Sequence, residues 1–132
     1  MGYRAFCAAV LVVGFAGTAS PAVDGDYGTG NAGVRLVASA DRPHGDEPVF
    51  LGVRFDIRPG WHIYWKNPGG AGLATEIRWN VPAGTDMGEL LWPVPVAFTQ
   101  SGDIPGFGYE GSVVLAAALP SSAAVPDGAV VG

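Results

Sequence analysis

Short runs that alternate between apolar and polar residues occupy most of the chain after residue 33. The clearest run is Val49–Ile57, whose odd-numbered residues from Leu51 onward are all apolar. Successive side chains of a strand point to opposite faces, so this pattern predicts a half-buried antiparallel strand. Similar runs predict strands at 34–39, 61–66 and 75–81. A continuous apolar run predicts a strand at 112–119, and a strand that has only begun is predicted at 129.

Glycine and proline separate these runs, and the chain contains 21 glycines and 11 prolines. Turn-forming residues predict turns at 58–60, 67–70 and 82–84. Pro93 and Pro95 remove backbone donors from the apolar run at 90–98, which therefore predicts an edge strand or a crossing segment. The glycine-rich stretch at 100–109 predicts a loop.

The order of these elements predicts the fold class. Six or so short strands, with turn signals every 8–12 residues and no run of helical period after the leader, favour an all-β domain at 34–132. We expect an immunoglobulin-like antiparallel β-sandwich, with a domain that is incomplete at its C-terminus as one form of this fold. An open barrel is the competing architecture, because periodicity alone does not separate the two.

The first 22 residues have the pattern of a cleavable signal peptide. Arg4 precedes an apolar run at 5–17, and small residues follow it. Thirteen helical residues span only about 20 Å, too short for a hydrocarbon core of roughly 30 Å. Cleavage is predicted after Ala22, with Ala19 as the alternative site; an uncleaved anchor or a buried helix is the competing interpretation. The glycine-rich segment at 23–33 predicts a flexible leader to the domain.

Composition narrows the possible functions. Hydrophobic residues make up 48% of the chain and charged residues 14%, which indicates a folded domain. A net charge of −5 with scattered basic residues argues against nucleic-acid binding. The only cysteine is Cys7, inside the predicted signal. The exported chain would then contain no thiol for a disulfide or a nucleophile, so we expect no enzyme activity from it as it stands.

Few side chains offer other chemistry. His44, His62 and Met87 are far apart in the sequence and match no metal-binding spacing, so we expect no metal and no cofactor, with a chance copper site as the alternative. His62 and Tyr64 are expected on the polar face of their strand. Four tryptophans fall on the predicted inward faces and are expected in the core, with ring stacking on a sugar as the alternative role: Trp61, Trp65, Trp79 and Trp92.

The central part of the sequence contains an ordered set of motifs. Residues 60–69 read Gly-Trp-His-Ile-Tyr-Trp-Lys-Asn-Pro-Gly; Gly72, Ile-Arg-Trp at 77–79, Leu-Trp-Pro-Val-Pro at 91–95 and Phe-Gly-Tyr-Glu-Gly at 107–111 follow. This set resembles the N-terminal periplasmic domain of DsbD-type thiol:disulfide interchange proteins, which are protein-disulfide reductases. The resemblance extends over residues 34–119.

The resemblance implies an immunoglobulin-like sandwich in the periplasm. In the family, a membrane-embedded electron-transfer domain follows it, often with a thioredoxin-like domain, and a cysteine pair in the N-terminal region relays electrons. No family catalytic residue can be carried over, because this sequence has no cysteine after Cys7. It also ends at Gly132, before the cysteine-bearing strands expected from the family. We therefore expect a truncated or split frame or a domain fragment, marginally soluble because of an unpaired sheet edge.

These observations lead to a functional hypothesis. We expect a non-catalytic periplasmic module that docks or shields a redox partner, either a periplasmic redox protein or the membrane-embedded domain of a disulfide reductase. The chain itself shows no predicted membrane span. The alternative is a stand-alone secreted β-sandwich module that binds a polysaccharide or copper. Docking is expected to use the aromatic region at 61–70 and the loop at 107–111. The candidate contact residues are Trp61, His62, Tyr64, Trp65, Asn67 and Tyr109.

Overall fold

The computed structural model describes residues 4–5, 10–14, 24–25, 32–40, 46–81, 85–120 and 130–131, with side chains for 32–40, 46–79, 81 and 85–120. Every regular element in these residues is a β-strand. In chain order the strands are β1 (Arg4–Ala5), β2 (Val10–Gly14), β3 (Asp24–Gly25), β4 (Ala32–Ala38), β5 (Val49–Ile57), β6 (Trp61–Gly69), β7 (Glu76–Asn80), β8 (Val96–Gln100), β9 (Ile104–Tyr109), β10 (Ser112–Leu119) and β11 (Val130–Val131).

The first sheet, sheet I, has β5 at its centre. β5 pairs antiparallel with β4 on one side and with β10 on the other, while β3 and β11 both pair with the outer side of β4. In this register Val53 is opposite Leu36 on β4 and opposite Leu115 on β10. All three side chains are buried, so one face of sheet I is a continuous apolar surface.

The second sheet, sheet II, has the strand order β1-β6-β9-β8. β6, β9 and β8 are antiparallel to their neighbours, whereas β1 is parallel to β6. β2 and β7 form a separate parallel pair. The described residues contain no helix long and apolar enough to cross a membrane.

A single apolar core joins the two sheets. Buried residues of sheet I belong to the same cluster as Ile63 of β6 and Tyr109 of β9. Burying a large apolar side chain contributes on the order of 1.5–3 kcal/mol, which makes this cluster the main source of stability. The two-sheet, all-β architecture confirms the predicted sandwich class. The four tryptophans are half-buried against the cluster, in agreement with the core role predicted for them: Trp61, Trp65, Trp79 and Trp92.

Most of the predicted strands are present. β5 has the predicted bounds, and β10 occupies the predicted 112–119. The proline-containing run at 90–98 is also as predicted: Leu91 makes a single bridge to Ala116, and β8 then forms one edge of sheet II. The predicted strand start at 129 corresponds to β11.

The predicted loop at 100–109 is wrong, because β9 occupies 104–109 in the interior of sheet II. The glycines of this segment permit close approach between neighbouring strands. A Cβ atom at Gly108 would overlap the carbonyl oxygen of Ile63, and one at Gly106 would overlap the Phe98 ring. Glycine inside a strand often marks such close contact, which cannot be distinguished from a loop by composition.

The predicted polar face of β6 is also wrong. His62 and Tyr64 are both buried, although they alternate with the core residue Ile63. The segment that follows β6 folds back over this second face, because Thr75 donates hydrogen bonds to the Tyr64 carbonyl from its hydroxyl and its amide. β6 is therefore covered on both faces.

The predicted signal peptide and leader are only partly described. β1 and β2 lie within residues 1–22, and β3 and the first two residues of β4 lie within 23–33, while the other residues of these two segments, including Cys7, lie outside the described residues. His44 also lies outside them. Cleavage and the boundaries of these segments stay predictions.

Candidate functional site

The candidate site is residues 61–70, which comprise the whole of β6 and Gly70 after it, and it is here called the aromatic turn. The strand ends at Gly69, whose φ of 91° lies in the left-handed region that glycine adopts without strain. The amide of Gly70 then donates a hydrogen bond to the carbonyl of Pro105 on β9, at 2.8 Å. The turn is thus fixed to sheet II at its far end.

Three of the predicted contact residues reach the surface of the aromatic turn. Asn67 is exposed, and Trp61 and Trp65 are half-buried. The Trp65 ring lies edge-to-face with Phe107, with 6.3 Å between centroids, and the Lys66 ammonium lies 5.5 Å from the Trp65 ring centroid. These contacts hold an indole at the surface with a cation beside it.

His62 lies behind this surface and is fully buried. Its ring contacts Phe98 at a centroid distance of 4.1 Å and meets the Tyr64 ring edge-on at 4.9 Å. Burial lowers the pKa of His62 below its ordinary value, and the negative charge of Glu110 opposes this only in part. At neutral pH His62 is therefore an uncharged packing element of the sheet.

Tyr64 connects the aromatic turn to β8. Its hydroxyl donates to Oε1 of Gln100 at 2.6 Å, and Nε2 of Gln100 donates to the carbonyl of Ala71 at 3.3 Å. Gly72 lies so close to the Tyr64 ring that a Cβ atom there would overlap it. The segment at 70–75 is consequently held over a buried tyrosine by hydrogen bonds at both ends.

Tyr109 performs a similar role at the other end of β9. Its side chain is buried, and its hydroxyl donates to the carbonyl of Pro93 at 2.7 Å. Burial raises the pKa of Tyr109 to about 12, because the phenolate would lose its hydration. The residue fixes the proline-rich segment before β8 onto sheet II.

The structure therefore divides the six predicted residues into two groups. Trp61, Trp65 and Asn67 are partly or fully exposed, whereas His62, Tyr64 and Tyr109 are buried. A contact with a partner stays a prediction for the whole set. Phe107 belongs to the segment 107–111 that the sequence predicted to take part in docking, and its ring contact with Trp65 places it beside the aromatic turn. Sequence reasoning did not place Gln100 at this site, and no sequence signal pointed to it.

The described residues offer little catalytic or metal chemistry. No group of three or more His, Cys, Asp or Glu side chains comes together among them. Of the residues considered for copper, His62 is enclosed by aromatic rings, and Met87 is half-buried against the core.

Comparison with known proteins assigns the family. The model of the family "Thiol:disulfide interchange protein DsbD, N-terminal" matches residues 36–131. This chain belongs to the DsbD N-terminal family. The match covers β5 to β10 and includes the whole aromatic turn, so the resemblance deduced from the motifs at 60–111 is confirmed.

A solved structure supports the assignment of the chain to the DsbD N-terminal family. The chain is similar to the N-terminal periplasmic domain of ScsB from Proteus mirabilis, with 34% sequence identity and a TM-score of 0.56. The similarity covers 79% of this chain and 37% of that one, so the chain corresponds to little more than a third of that relative. A search of curated proteins gave no significant match.

Proposed function

We propose that this chain is a non-catalytic docking or shielding module of a periplasmic thiol:disulfide interchange system. The proposal rests on one observation: residues 36–131, which match the DsbD N-terminal family, contain no cysteine. Exchange between thiols and disulfides requires a thiolate that attacks sulfur, which this segment does not provide. Shape and contact are what remain for it to contribute.

The accessible part of the aromatic turn supports a docking role. Trp61 and Trp65 are partly exposed, and between them the Tyr64 hydroxyl and carbonyl are held by hydrogen bonds with Gln100 and Thr75. Tryptophan on a rigid support is enriched among residues that dominate binding energy at interfaces. The proposed partner is a periplasmic redox protein or the membrane-embedded domain of a disulfide reductase. The module would act in the periplasm after removal of the signal peptide.

A reduction assay tests the non-catalytic part. The full chain is exported with its own signal peptide, purified from the periplasm and incubated with a disulfide substrate and no other redox protein. A Cys7→Ser variant is the matched control. Both proteins should leave the disulfide intact, and the mass of the wild-type protein should match cleavage after Ala22 or Ala19. Reduction by the wild-type chain but not by Cys7→Ser would show that the signal peptide is retained and that the Cys7 thiol reacts.

A binding assay tests the docking part with two purified probes, a periplasmic thioredoxin-fold oxidoreductase and the membrane domain of a DsbD-type reductase. We expect one probe to bind, with about tenfold weaker affinity for Asn67→Ala or Trp65→Ala, a loss of about 1.4 kcal/mol. Val114→Ala, which truncates an exposed side chain on the outer face of sheet I, should bind normally. Saturable binding of Cu²⁺ or a polysaccharide, with neither redox probe bound, would instead support a stand-alone binding module.

A further inference from the structure

The outer edge of β8 differs from both edges of sheet I. There, β3 and β11 cover β4, and the amides of Gly88 and Leu91 bond to carbonyls of β10. In sheet II, β6 pairs on its outer side only with the two-residue strand β1, which lies in the predicted signal peptide and would be lost on cleavage. Within the described part of the chain, no strand pairs with the outer side of β8.

The backbone polar groups on this edge can be identified from the register. The carbonyl of Pro105 accepts a hydrogen bond from Gly70, so the backbone groups of Pro105 point toward β6. Pro105 is opposite Thr99, which makes this a pair without hydrogen bonds between β8 and β9. The N–H and C=O groups of Thr99 and, two residues earlier, of Ala97 therefore point away from the sheet.

β8 lacks the features that usually protect a free edge. Its five residues include no charged side chain and no proline, and Ala97 and Thr99 are exposed. Val94, just before the strand, is 91% exposed. Natural sheets commonly protect such edges with lysine, proline or a bulge, so this edge is competent to pair with another strand.

The charge distribution indicates the chemistry of a partner strand. Residues 79–132 contain five acidic residues and no Lys, Arg or His, whereas residues 1–78 contain seven acidic and seven basic residues. The net charge of −5 thus belongs to the part of the sequence that forms β8 and β9. Asp103 lies in the turn after β8, and Glu110 directly follows β9. A basic segment is favoured, and a second acidic copy is disfavoured by repulsion.

We propose that the outer edge of β8 is a strand-addition site for an extended partner segment in which Lys or Arg alternates with apolar residues. The partner strand would bond to the outward groups of Ala97 and Thr99. This surface lies on the opposite side of β9 from the aromatic turn. The inference therefore extends the proposed docking function to a second surface and does not depend on the first.

The test uses the full chain and a short, terminally blocked peptide that alternates valine with lysine. Two control peptides replace lysine with glutamate or carry N-methyl groups on alternate amides, which prevents strand pairing. We expect the lysine peptide to slow amide hydrogen exchange at Ala97 and Thr99 by about tenfold or more when it saturates the protein. Both control peptides should bind at least about tenfold more weakly.

A pair of protein variants tests the same geometry. Ala97→Pro removes an outward N–H without removing a β8–β9 hydrogen bond, and Ala97→Ser retains that N–H. The proline variant should bind the lysine peptide about tenfold more weakly, and the serine variant should bind it like the wild type. If Ala97→Pro does not fold, the N-methylated peptide decides the question.

Three results would overturn the inference. They are absence of lysine-peptide binding, equal binding of the N-methylated or glutamate peptide, and a wild-type chain that is a dimer in solution through β8. Loss of redox-probe binding in Asn67→Ala would leave peptide binding unchanged, so failure of the proposed function and failure of this inference are distinguishable.

Discussion

Replacing Tyr109 with phenylalanine should change the stability of the domain in opposite directions at neutral and at alkaline pH. The ring of Tyr109 is buried, and its hydroxyl donates a hydrogen bond of 2.7 Å to the carbonyl of Pro93. Tyr109→Phe keeps the ring and removes the hydroxyl. At neutral pH the loss of this hydrogen bond should lower the free energy of unfolding by about 1 kcal/mol.

The alkaline effect has the opposite sign. The pKa of Tyr109 is raised by burial from 10.0 to about 12 in the folded protein. The folded protein favours the neutral phenol. The contribution of this preference to the free energy of unfolding is therefore complete below pH 10 and is lost as the pH rises from 10 to 12. Two pKa units correspond to about 2.7 kcal/mol, of which about half is lost at pH 11. The variant has no such group at this position.

The measurement is urea unfolding of both proteins, followed by tryptophan fluorescence at several values of pH from neutral to alkaline. Other groups titrate in both proteins and cancel in the difference. The wild type should be more stable at neutral pH, and the two stability curves should cross near about pH 11. Curves that stay parallel up to that pH would refute a buried, protonated Tyr109.

Three further substitutions test the packing and charges of the sandwich. Gly108→Ala should destabilise the fold by about 3 kcal/mol or more, because the new Cβ would overlap a backbone carbonyl of β6, whereas Gly33→Ala has about 4.0 Å of clearance and should change little. Leu115→Ala should cost about 2–5 kcal/mol in chemical unfolding, and truncation of the neighbouring, partly exposed Val114 less than about 1 kcal/mol. Two arginines lower the pKa of Asp56 to about 2. The Asp56 carboxylate therefore adds to the free energy of unfolding above pH 3.8, and this stabilisation disappears as the pH falls through 2. Since these ion pairs are partly exposed, Asp56→Asn should cost only about 0.5–1 kcal/mol at neutral pH and nothing near pH 2.

The sequence correctly predicted those strands whose structure depends on the pattern of their own residues. β5 alternates because one of its faces lies on the core and the other faces outward, whereas β10 was predicted from a continuous apolar run that ends before Pro120. The segment at 90–98 was also predictable, because Pro93 and Pro95 lack the N–H groups that a central strand would need there.

The errors arose where distant segments meet. β9 contains Gly106 and Gly108 because strands from elsewhere approach them, so its composition resembles that of a loop. His62 reads as a polar-face residue, yet it is buried because Phe98 lies against it from 36 positions later in the sequence. The same long-range packing determines which residues of the aromatic turn are accessible, so only part of the candidate site could be predicted.

The two hydrogen bonds of Gln100 have a mechanical consequence. One amide group belongs to β8 and restrains both the Tyr64 hydroxyl and the Ala71 carbonyl, so ordering of the strand and ordering of the chain at 70–75 are parts of one cooperative unit. A partner that reduces the motion of β8 should therefore also reduce the fluctuations of the backbone at 70–75, which follows the half-buried Trp61 and Trp65. Two surfaces separated by a whole strand would then respond to each other without any change in average shape.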